Sequence, residues 1–250
     1  MRARGFSVIP VGGLGEITEG DRPGALIAAS ATLEEGDVVV VAQKVVSKAE
    51  GRLRSLTDVE PGAEAERIAA ETERDPRLVE LILNESRAVV RATRAALITR
   101  TDHGFVCANA GIDASNVPGD ETVLLLPADP DASARSIRSD LEQATGHRLG
   151  VIVGDSFGRP WRIGQVDVAI GAAGVRAADD WRGRVDGHGR KLRATEIAIA
   201  DQLAAAADLA REKDSGVPAV VIRGLGHLVT DEDGPGAAAL RRAEADDLFT

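Results

Sequence analysis

Residues 151–162 read Val-Ile-Val-Gly-Asp-Ser-Phe-Gly-Arg-Pro-Trp-Arg, and this stretch is the most informative part of the chain. Its first three residues are β-branched, follow Gly150 and end at a glycine, which is the pattern of a short buried strand. Similar runs occur at residues 38–41 and 219–222. Segments of helical periodicity lie between such runs without strict strand–helix alternation, so the sequence predicts a mixed α/β or α+β fold.

The remaining elements follow from periodicity and from end signals. Asp21-Arg22-Pro23, with a Pro near the first turn, and Asp75-Pro76 indicate two helix starts. The predicted helices span residues 24–31, 77–84, 131–145 and 195–213. Further strands are predicted at residues 6–11, 96–98, 123–126 and 166–170.

The composition limits the classes of function. The 250 residues are 44% hydrophobic and 28% charged, which suits a globular chain, but only 2% are aromatic. Few rings and a net charge of −10 argue against a nucleic-acid partner. The single cysteine, Cys107, excludes an intrachain disulfide and a cysteine-rich zinc site, and its apolar neighbours suggest a buried structural thiol. No run approaches the roughly 18 apolar residues of a membrane span, so no membrane partner and a cytoplasmic location are expected.

The segment Gly154–Gly158 has two chemical interpretations. It matches G-x-S-x-G, the nucleophile elbow of α/β-hydrolases, with Ser156 as the nucleophile. That elbow must lead into a helix, however, and Pro160 follows almost at once. Alternatively, Asp155 and Ser156 are oxygen ligands for Mg²⁺ or Mn²⁺ at a strand end, with Arg159 to neutralise phosphate oxygens. The second interpretation fits phosphoryl transfer.

Four other segments combine glycine with charged or amide side chains, a composition that suits phosphate and metal chemistry. They are predicted as loops, and each also has a plain structural explanation as a turn or a solvated surface. These segments are residues 12–17, 43–52, 109–119 and 223–227.

Taken together, these motifs resemble the coenzyme F420-0:L-glutamate ligase (coenzyme F420:γ-glutamyl ligase) family over nearly the whole chain. The resemblance rests on five motifs in order rather than on any single one. They are GLGE at residues 13–16, KVVSKAEGR at 44–52, GIDASNV at 111–117, GDSFGRPWRIGQ at 154–165 and RGLG at 223–226.

The resemblance implies an α+β fold of mixed sheets with flanking helices, in an intertwined homodimer. It also implies GTP-dependent addition of L-glutamate to the deazaflavin precursor F420-0, with Mg²⁺ or Mn²⁺ as cofactor and help from K⁺. Because a carboxylate is a poor acyl donor, we expect the reaction to pass through an acyl phosphate.

The resemblance also implies roles for individual residues. Lys48, Asp155 and Arg159 would be catalytic. Asp113 and Asp155 would hold one metal ion, and Ser156 another. Nucleotide contacts are expected from Leu14, Gly15, Glu16, Ile17, Gln43, Lys48, Asn116, Arg223, Gly224, Leu225 and Gly226. Gly15 stands where many relatives have Pro, and Gln43 where some have Ser or Thr.

Residues 1–250 are therefore expected to form one ligase domain. In some relatives a flavin-binding, nitroreductase-like domain follows it, so the chain is either a stand-alone ligase or the N-terminal domain of such a fusion. Two alternatives stay open at this point, a serine hydrolase that uses Ser156 and a non-catalytic nucleotide-binding module.

Overall fold

The computed structural model describes residues 5–115, 117–211 and 216–247. These residues form twelve strands and six α-helices, besides short 3₁₀ turns. The strands are β1 (Ser7–Val11), β2 (Val38–Ala42), β3 (Leu53–Ser55), β4 (Ser86–Ala92), β5 (Leu97–Thr101), β6 (Val106–Ala108), β7 (Thr122–Leu124), β8 (Gly150–Arg159), β9 (Arg162–Ala173), β10 (Ala178–Asp180), β11 (Glu196–Ala198) and β12 (Ala219–Arg223). The helices are α1 (Pro23–Ser30), α2 (Gln43–Ala49), α3 (Ala63–Thr72), α4 (Pro76–Asn84), α5 (Pro130–Thr145) and α6 (Ile199–Asp208).

A five-stranded mixed sheet lies at the centre, in the order β1-β12-β2-β8-β9. Strands β2 and β8 are parallel, and the other neighbours are antiparallel. The register aligns one end of each of these strands at Val11, Ala42, Gly154 and Ala219, and we call this end of the sheet the upper edge. The opposite, lower edge carries the other ends of these strands, including Arg223. Strands β8 and β9 extend beyond the upper edge as a hairpin.

The central strands are apolar because both faces of the sheet are covered. Val39 and Val41 pack on one face with residues of α1 and α5, whereas Val38 and Val40 pack on the other face with residues of α6. All four valines are fully buried. Since successive side chains in a strand point to opposite faces, a continuous valine run is what a doubly covered strand requires.

A third apolar cluster forms beside the sheet. Helices α3 and α4 contribute Ile68 and Ile82, and small strands contribute Leu97 and Val123. Two additional sheets, β3-β7 and β4-β5-β6, lie in this part of the chain, and β10-β11 forms a separate ribbon. Helices grouped around several mixed and antiparallel sheets define an α+β fold, as the sequence predicted.

Most predicted elements are present, but two predictions of loops are wrong. The segment after β2 is not a basic loop, because residues 43–49 form α2. The segment 154–159 is not a loop either, because it continues β8 in register with β9. Strand β4 and helix α3 were not predicted at all.

The longest helix, α5, has 16 residues. Among the residues that the structure describes, no helix is both long and apolar enough to cross a membrane.

Candidate active site

Segments from several parts of the sequence meet at the upper edge of the sheet. Residues 12–17 follow β1, helix α2 follows β2, and Asp155 follows Gly154 in β8. Asp113 joins them from a loop that pairs with β7 through Leu124. The ends of adjacent strands are a common place for ligand binding in open mixed sheets.

Asp155 has the most perturbed carboxylate of this cluster. Burial is the main cause that raises its pKa to about 7, and the nearby charges of Asp167 and Asp113 contribute to this shift. The backbone N–H of Ser156 and the ammonium group of Lys44 act in the opposite direction. A carboxylate that is costly to ionise in its surroundings is typical of a site that binds a cation or a proton.

Asp113 is placed by an unusual turn. Asn109, Ala110 and Gly111 have φ angles of 53°, 53° and 72°, so three successive residues adopt the left-handed conformation before the chain reaches Asp113. The Lys44 Nζ atom lies 2.8 Å from the Asp113 Oδ2 atom. Burial alone would raise the pKa of Asp113, but Lys44 and Ser115 together hold it below its ordinary value.

Residues 12–17 and α2 form the other side of the cluster. The side chains of Leu14 and Ile17 are buried in the core, so a ligand at this loop would meet its backbone and the exposed Gly15 and Glu16. The Lys48 Nζ atom lies 2.6 Å from Glu16 Oε1.

Gln43 is the predicted nucleotide contact at the start of α2. Its side chain is 2% exposed and donates to the Ser47 hydroxyl over 2.6 Å. The Gln43 Oε1 atom is buried without a hydrogen-bond partner among the described residues. A buried acceptor of this kind is a polar atom that a donor group could satisfy.

On the other face of β8, Ser156 belongs to a different set of contacts. Its hydroxyl donates to Asp167 Oδ1 over 2.6 Å, and the second Asp167 oxygen accepts from Arg211. Asp167 is 2% exposed. Neither Asp167 nor Arg211 was predicted from the sequence as a site residue. A signal was present for Asp167, which lies between two valines in a predicted strand.

The cluster has donors suited to a hard divalent cation. Asp113 and Asp155 supply carboxylate oxygens near one another, and such oxygens are the ligands that Mg²⁺ and Mn²⁺ prefer. Within the described ranges, no three acidic, histidine or cysteine side chains converge into a ready-made metal cage. In this structure Lys44 forms an ion pair with Asp113, and the Ser156 side chain points to the opposite face of β8. A cation between Asp113 and Asp155 therefore fits if Lys44 gives way, and Ser156 would serve a separate ion.

Several predicted site residues are not brought to this cluster. Arg159 lies four residues beyond Asp155, roughly 13 Å along the strand, at the hairpin tip. There its guanidinium donates to the Ile163 carbonyl over 2.6 Å.

Residues Arg223, Gly224, Leu225 and Gly226 lie at the lower edge of the sheet. The Arg223 guanidinium is anchored on the buried Asp37 over 2.8 Å. The register of β12 separates this segment from the cluster by the length of the strand. Its predicted closure over a nucleotide stays a prediction, and within one chain the segment lies away from the carboxylate cluster. Asn116 lies outside the described residues.

Cys107 packs beside Asp155 and is buried, as predicted. Burial, with a smaller contribution from the charge of Asp155, raises the pKa of its thiol to about 12. A thiol with so high a pKa stays protonated at neutral pH and is a poor nucleophile.

Comparisons with known proteins place this site in context. The sequence profile of the F420-0:Gamma-glutamyl ligase family matches residues 13–224. The chain is 46% identical to the Coenzyme F420:L-glutamate ligase of Methanothermobacter thermautotrophicus over 253 aligned residues, 98% of this chain and 99% of that protein. It is 47% identical to the protein of the same name from Methanopyrus kandleri, over 94% of this chain and 93% of that protein. The equivalent protein of Methanocaldococcus jannaschii is 43% identical over 86% of this chain and 85% of its own length.

Proposed function

Because this chain belongs to the F420-0:gamma-glutamyl ligase family, we propose that it joins L-glutamate to F420-0 through a γ-glutamyl amide bond in coenzyme F420 biosynthesis. We further propose that the reaction consumes GTP, releases GDP and phosphate, and takes place in the cytoplasm. Residues 1–250 would act as one ligase domain. The observation that carries the proposal is the meeting of Asp113, Asp155, Lys44 and Lys48 at one edge of the sheet.

The charges of the cluster suit the first half of such a reaction. A carboxylate oxygen of F420-0 would attack the γ-phosphorus of GTP, and the bond from that phosphorus to the bridging oxygen would break as GDP leaves. Lys44 and Lys48 would bind the phosphate oxygens and share the negative charge of the transition state. A divalent cation held by Asp113 and Asp155, with a second at Ser156, would screen the approach of one anion to another.

The second half forms the amide bond. The deprotonated amine of L-glutamate would attack the acyl carbon of the acyl phosphate, and the carbon–oxygen bond to phosphate would break. The half-buried position of Asp155 and the apolar neighbours of Cys107 would limit the access of water to the acyl phosphate and so slow its hydrolysis. In this proposal Asp155 and Lys48 are catalytic residues.

A turnover assay tests the proposal directly. Purified protein is mixed with F420-0, L-glutamate, GTP and Mn²⁺, and the products are separated by mass spectrometry. We expect species heavier by one or more glutamyl units that disappear when GTP or the metal is left out. Replacement of GTP by ATP, of Mn²⁺ by Mg²⁺ and of K⁺ by Na⁺ then defines each requirement. Binding of GTP without any product would favour the non-catalytic nucleotide-binding module instead.

The structure argues against a serine hydrolase. A nucleophile elbow is a sharp turn from a strand into a helix, whereas Ser156 lies within β8 and pairs with Asp167 of β9. The Ser156 hydroxyl donates to a carboxylate rather than to a histidine. A fluorophosphonate probe should therefore leave Ser156 unlabelled.

A homodimer is also part of the proposal. The β8–β9 hairpin ends in Trp161 and Ile163, which are 71% and 99% exposed. Large apolar side chains at the tip of a projecting hairpin favour contact with another polypeptide. Sedimentation analysis should give twice the chain mass, and Ile163→Lys should lower it towards the monomer.

A further inference from the structure

A cavity of about 460 Å³ opens next to the candidate active site. Its volume lies in the range of small-molecule sites. The residues that line it come from β4, β9, the turn before β6, the start of α5 and the C-terminal part of the chain. They are Arg87, Asp102, His103, Phe105, Ala128, Asp129, Pro130, Asp131, Ile170 and Arg241.

Two aromatic side chains in contact lie between this cavity and the carboxylate cluster. The Phe105 ring lines the cavity and contacts the Phe157 ring edge-on, with centroids 5.9 Å apart. Phe157 is two residues beyond Asp155 along β8. Cys107 is two residues beyond Phe105, and the charge of Asp155 raises the pKa of its thiol. Alternate residues of extended chain are about 7 Å apart. A small ligand in the cavity would therefore be separated from Asp155 by the Phe105 and Phe157 side chains.

His103 lines this cavity and has one ring nitrogen without a hydrogen-bond partner among the described residues. Its Nε2 atom lies 2.9 Å from the Pro127 carbonyl oxygen and 3.1 Å from that of Ala128. Because carbonyl oxygens only accept, Nε2 must be the donor, which leaves Nδ1 of the neutral ring as an acceptor. That Nδ1 atom is buried and has no partner among the described residues.

Charges of both signs surround the cavity. The Arg241 guanidinium donates to the His103 carbonyl and lies over the Phe105 ring, 5.6 Å from its centroid. Arg87 faces Asp102 across 3.4 Å. Asp129 caps helix α5 and keeps a largely exposed carboxylate.

The third acid, Asp131, is already satisfied by backbone groups. Its Oδ1 atom accepts from the N–H groups of Ala172 and Ala237 over 2.8 Å and 2.7 Å. Arg241, Arg87 and Asp129 therefore remain for a ligand. Arg87 is shared with the exposed carboxylate of Asp102, and His103 Nδ1 is the unpartnered acceptor. A simple anion would be repelled by Asp129, whereas a zwitterion with extra carboxylate character matches both signs.

We propose that this cavity binds the amino-acid substrate, L-glutamate, with its carboxylates towards Arg241 and Arg87 and its ammonium group towards His103 Nδ1 and Asp129. This assignment rests on the proposed function, because the ligase reaction needs a dicarboxylic amino acid beside the activated carboxylate. Arg241 and His103 are then specificity-determining residues for the amino acid.

The test compares Arg241→Met with Arg242→Met. Arg242 is the adjacent residue, is exposed and does not line the cavity, so it is a matched control. Loss of a charge-assisted contact should raise KM for L-glutamate by about tenfold or more. The KM values for GTP and F420-0 and the value of kcat should stay within about twofold. His103→Gln keeps a donor for the two carbonyls, removes the ring acceptor and should raise the same KM.

Thermal unfolding verifies that each variant is folded. Unchanged KM for L-glutamate in Arg241→Met and His103→Gln, with turnover intact, would overturn the cavity assignment and leave the proposed function standing. If the unaltered protein shows no turnover, the proposed function fails. Saturation-transfer NMR then tests whether L-glutamate binds to the cavity, independently of turnover. A signal that Arg241→Met loses and Arg242→Met keeps would support the assignment. No signal would overturn it, and so would equal signals from L-glutamate and from succinate, a dicarboxylate without an ammonium group.

Discussion

The Ser156 hydroxyl donates a hydrogen bond of 2.6 Å to the carboxylate of Asp167, its direct partner across β8 and β9. The second oxygen of Asp167 accepts from Arg211, which follows α6. The carboxylate is thus satisfied from two sides in a position that water hardly reaches. The ion pair of Asp167 and Arg211 therefore orients the hydroxyl group of Ser156, a candidate metal ligand.

Removal of one partner of the Asp167–Arg211 pair should destabilise the fold. Asp167→Leu leaves a buried guanidinium without its counter-ion, and such a change costs about 3–5 kcal/mol. The double variant Asp167→Leu, Arg211→Met removes both charges and should recover much of that loss. Urea unfolding of the four proteins in this cycle measures the coupling. The exposed pair Asp180 and Arg182, 2.6 Å apart, is the control and should show far weaker coupling.

Replacement of Asp155 by asparagine should abolish turnover and preserve the fold. The amide keeps the size of the carboxyl group but cannot serve as an anionic ligand for Mg²⁺ or Mn²⁺. We expect a loss of at least about 10²-fold in kcat, in the range seen when electrostatic stabilisation of a transition state is removed. Asp58→Asn, at an exposed position in a short 3₁₀ turn, is the control. Normal metal-dependent turnover in Asp155→Asn would exclude Asp155 from the metal site.

The same substitution should change how stability depends on pH. Burial raises the pKa of Asp155 to about 7, whereas in the unfolded chain the carboxyl group titrates near 4. The folded chain therefore holds the proton more tightly, and the resulting stability is present below about pH 4 and lost as pH rises to about 7. Without added divalent cations, the free energy of unfolding should fall relative to that of Asp155→Asn across this window. Parallel curves for the two proteins would contradict the burial of this carboxyl group.

The turn before Asp113 gives a prediction about geometry. Gly111 has a φ of 72°, and a Cβ atom there would lie 2.7 Å from Leu126 Cδ1. Gly111→Ala should therefore destabilise the protein by about 1–3 kcal/mol, through backbone strain and overpacking together. Gly146→Ala is a matched control, because its φ is 71° and nothing lies within 4 Å of its Cβ position. Equal effects of the two changes on urea unfolding would mean that Leu126 moves freely aside.

The sequence was sufficient to predict those elements whose own residues determine them. The valine run at residues 38–41 forms a strand that is covered on both faces, and the Asp-Pro pair at residues 75–76 begins a helix in the structure as well. Strand β4 escaped prediction because its residues 87–91 are exposed, so tertiary pairing with β5 rather than a buried pattern holds it in place.

The candidate site was only partly predictable, for a related reason. Asp113, Asp155 and Lys48 lie next to runs of apolar residues. Such runs predict strands, so a single sequence indicates roughly where each strand ends. The placement of Arg223 at the lower edge depends on the antiparallel register of β12, which no local pattern records. Arg211 was missed because its partner Asp167 is 44 residues away in sequence.

Lys48 and Arg159 provide a contrast between a cation at the cluster and one at the hairpin tip. Lys48 lies beside Glu16 at the upper edge, with its side chain 14% exposed. Lys48→Met should lower kcat by about 10²–10³-fold, because a cation close to the developing phosphate charge is lost. Arg159 binds carbonyl groups of its own hairpin, so Arg159→Met should change kcat by less than about threefold. Steady-state kinetics at saturating GTP, F420-0 and L-glutamate measures both. Equal losses in the two variants would contradict the single-chain geometry and would instead place the hairpin tip in a catalytic site shared with a second subunit.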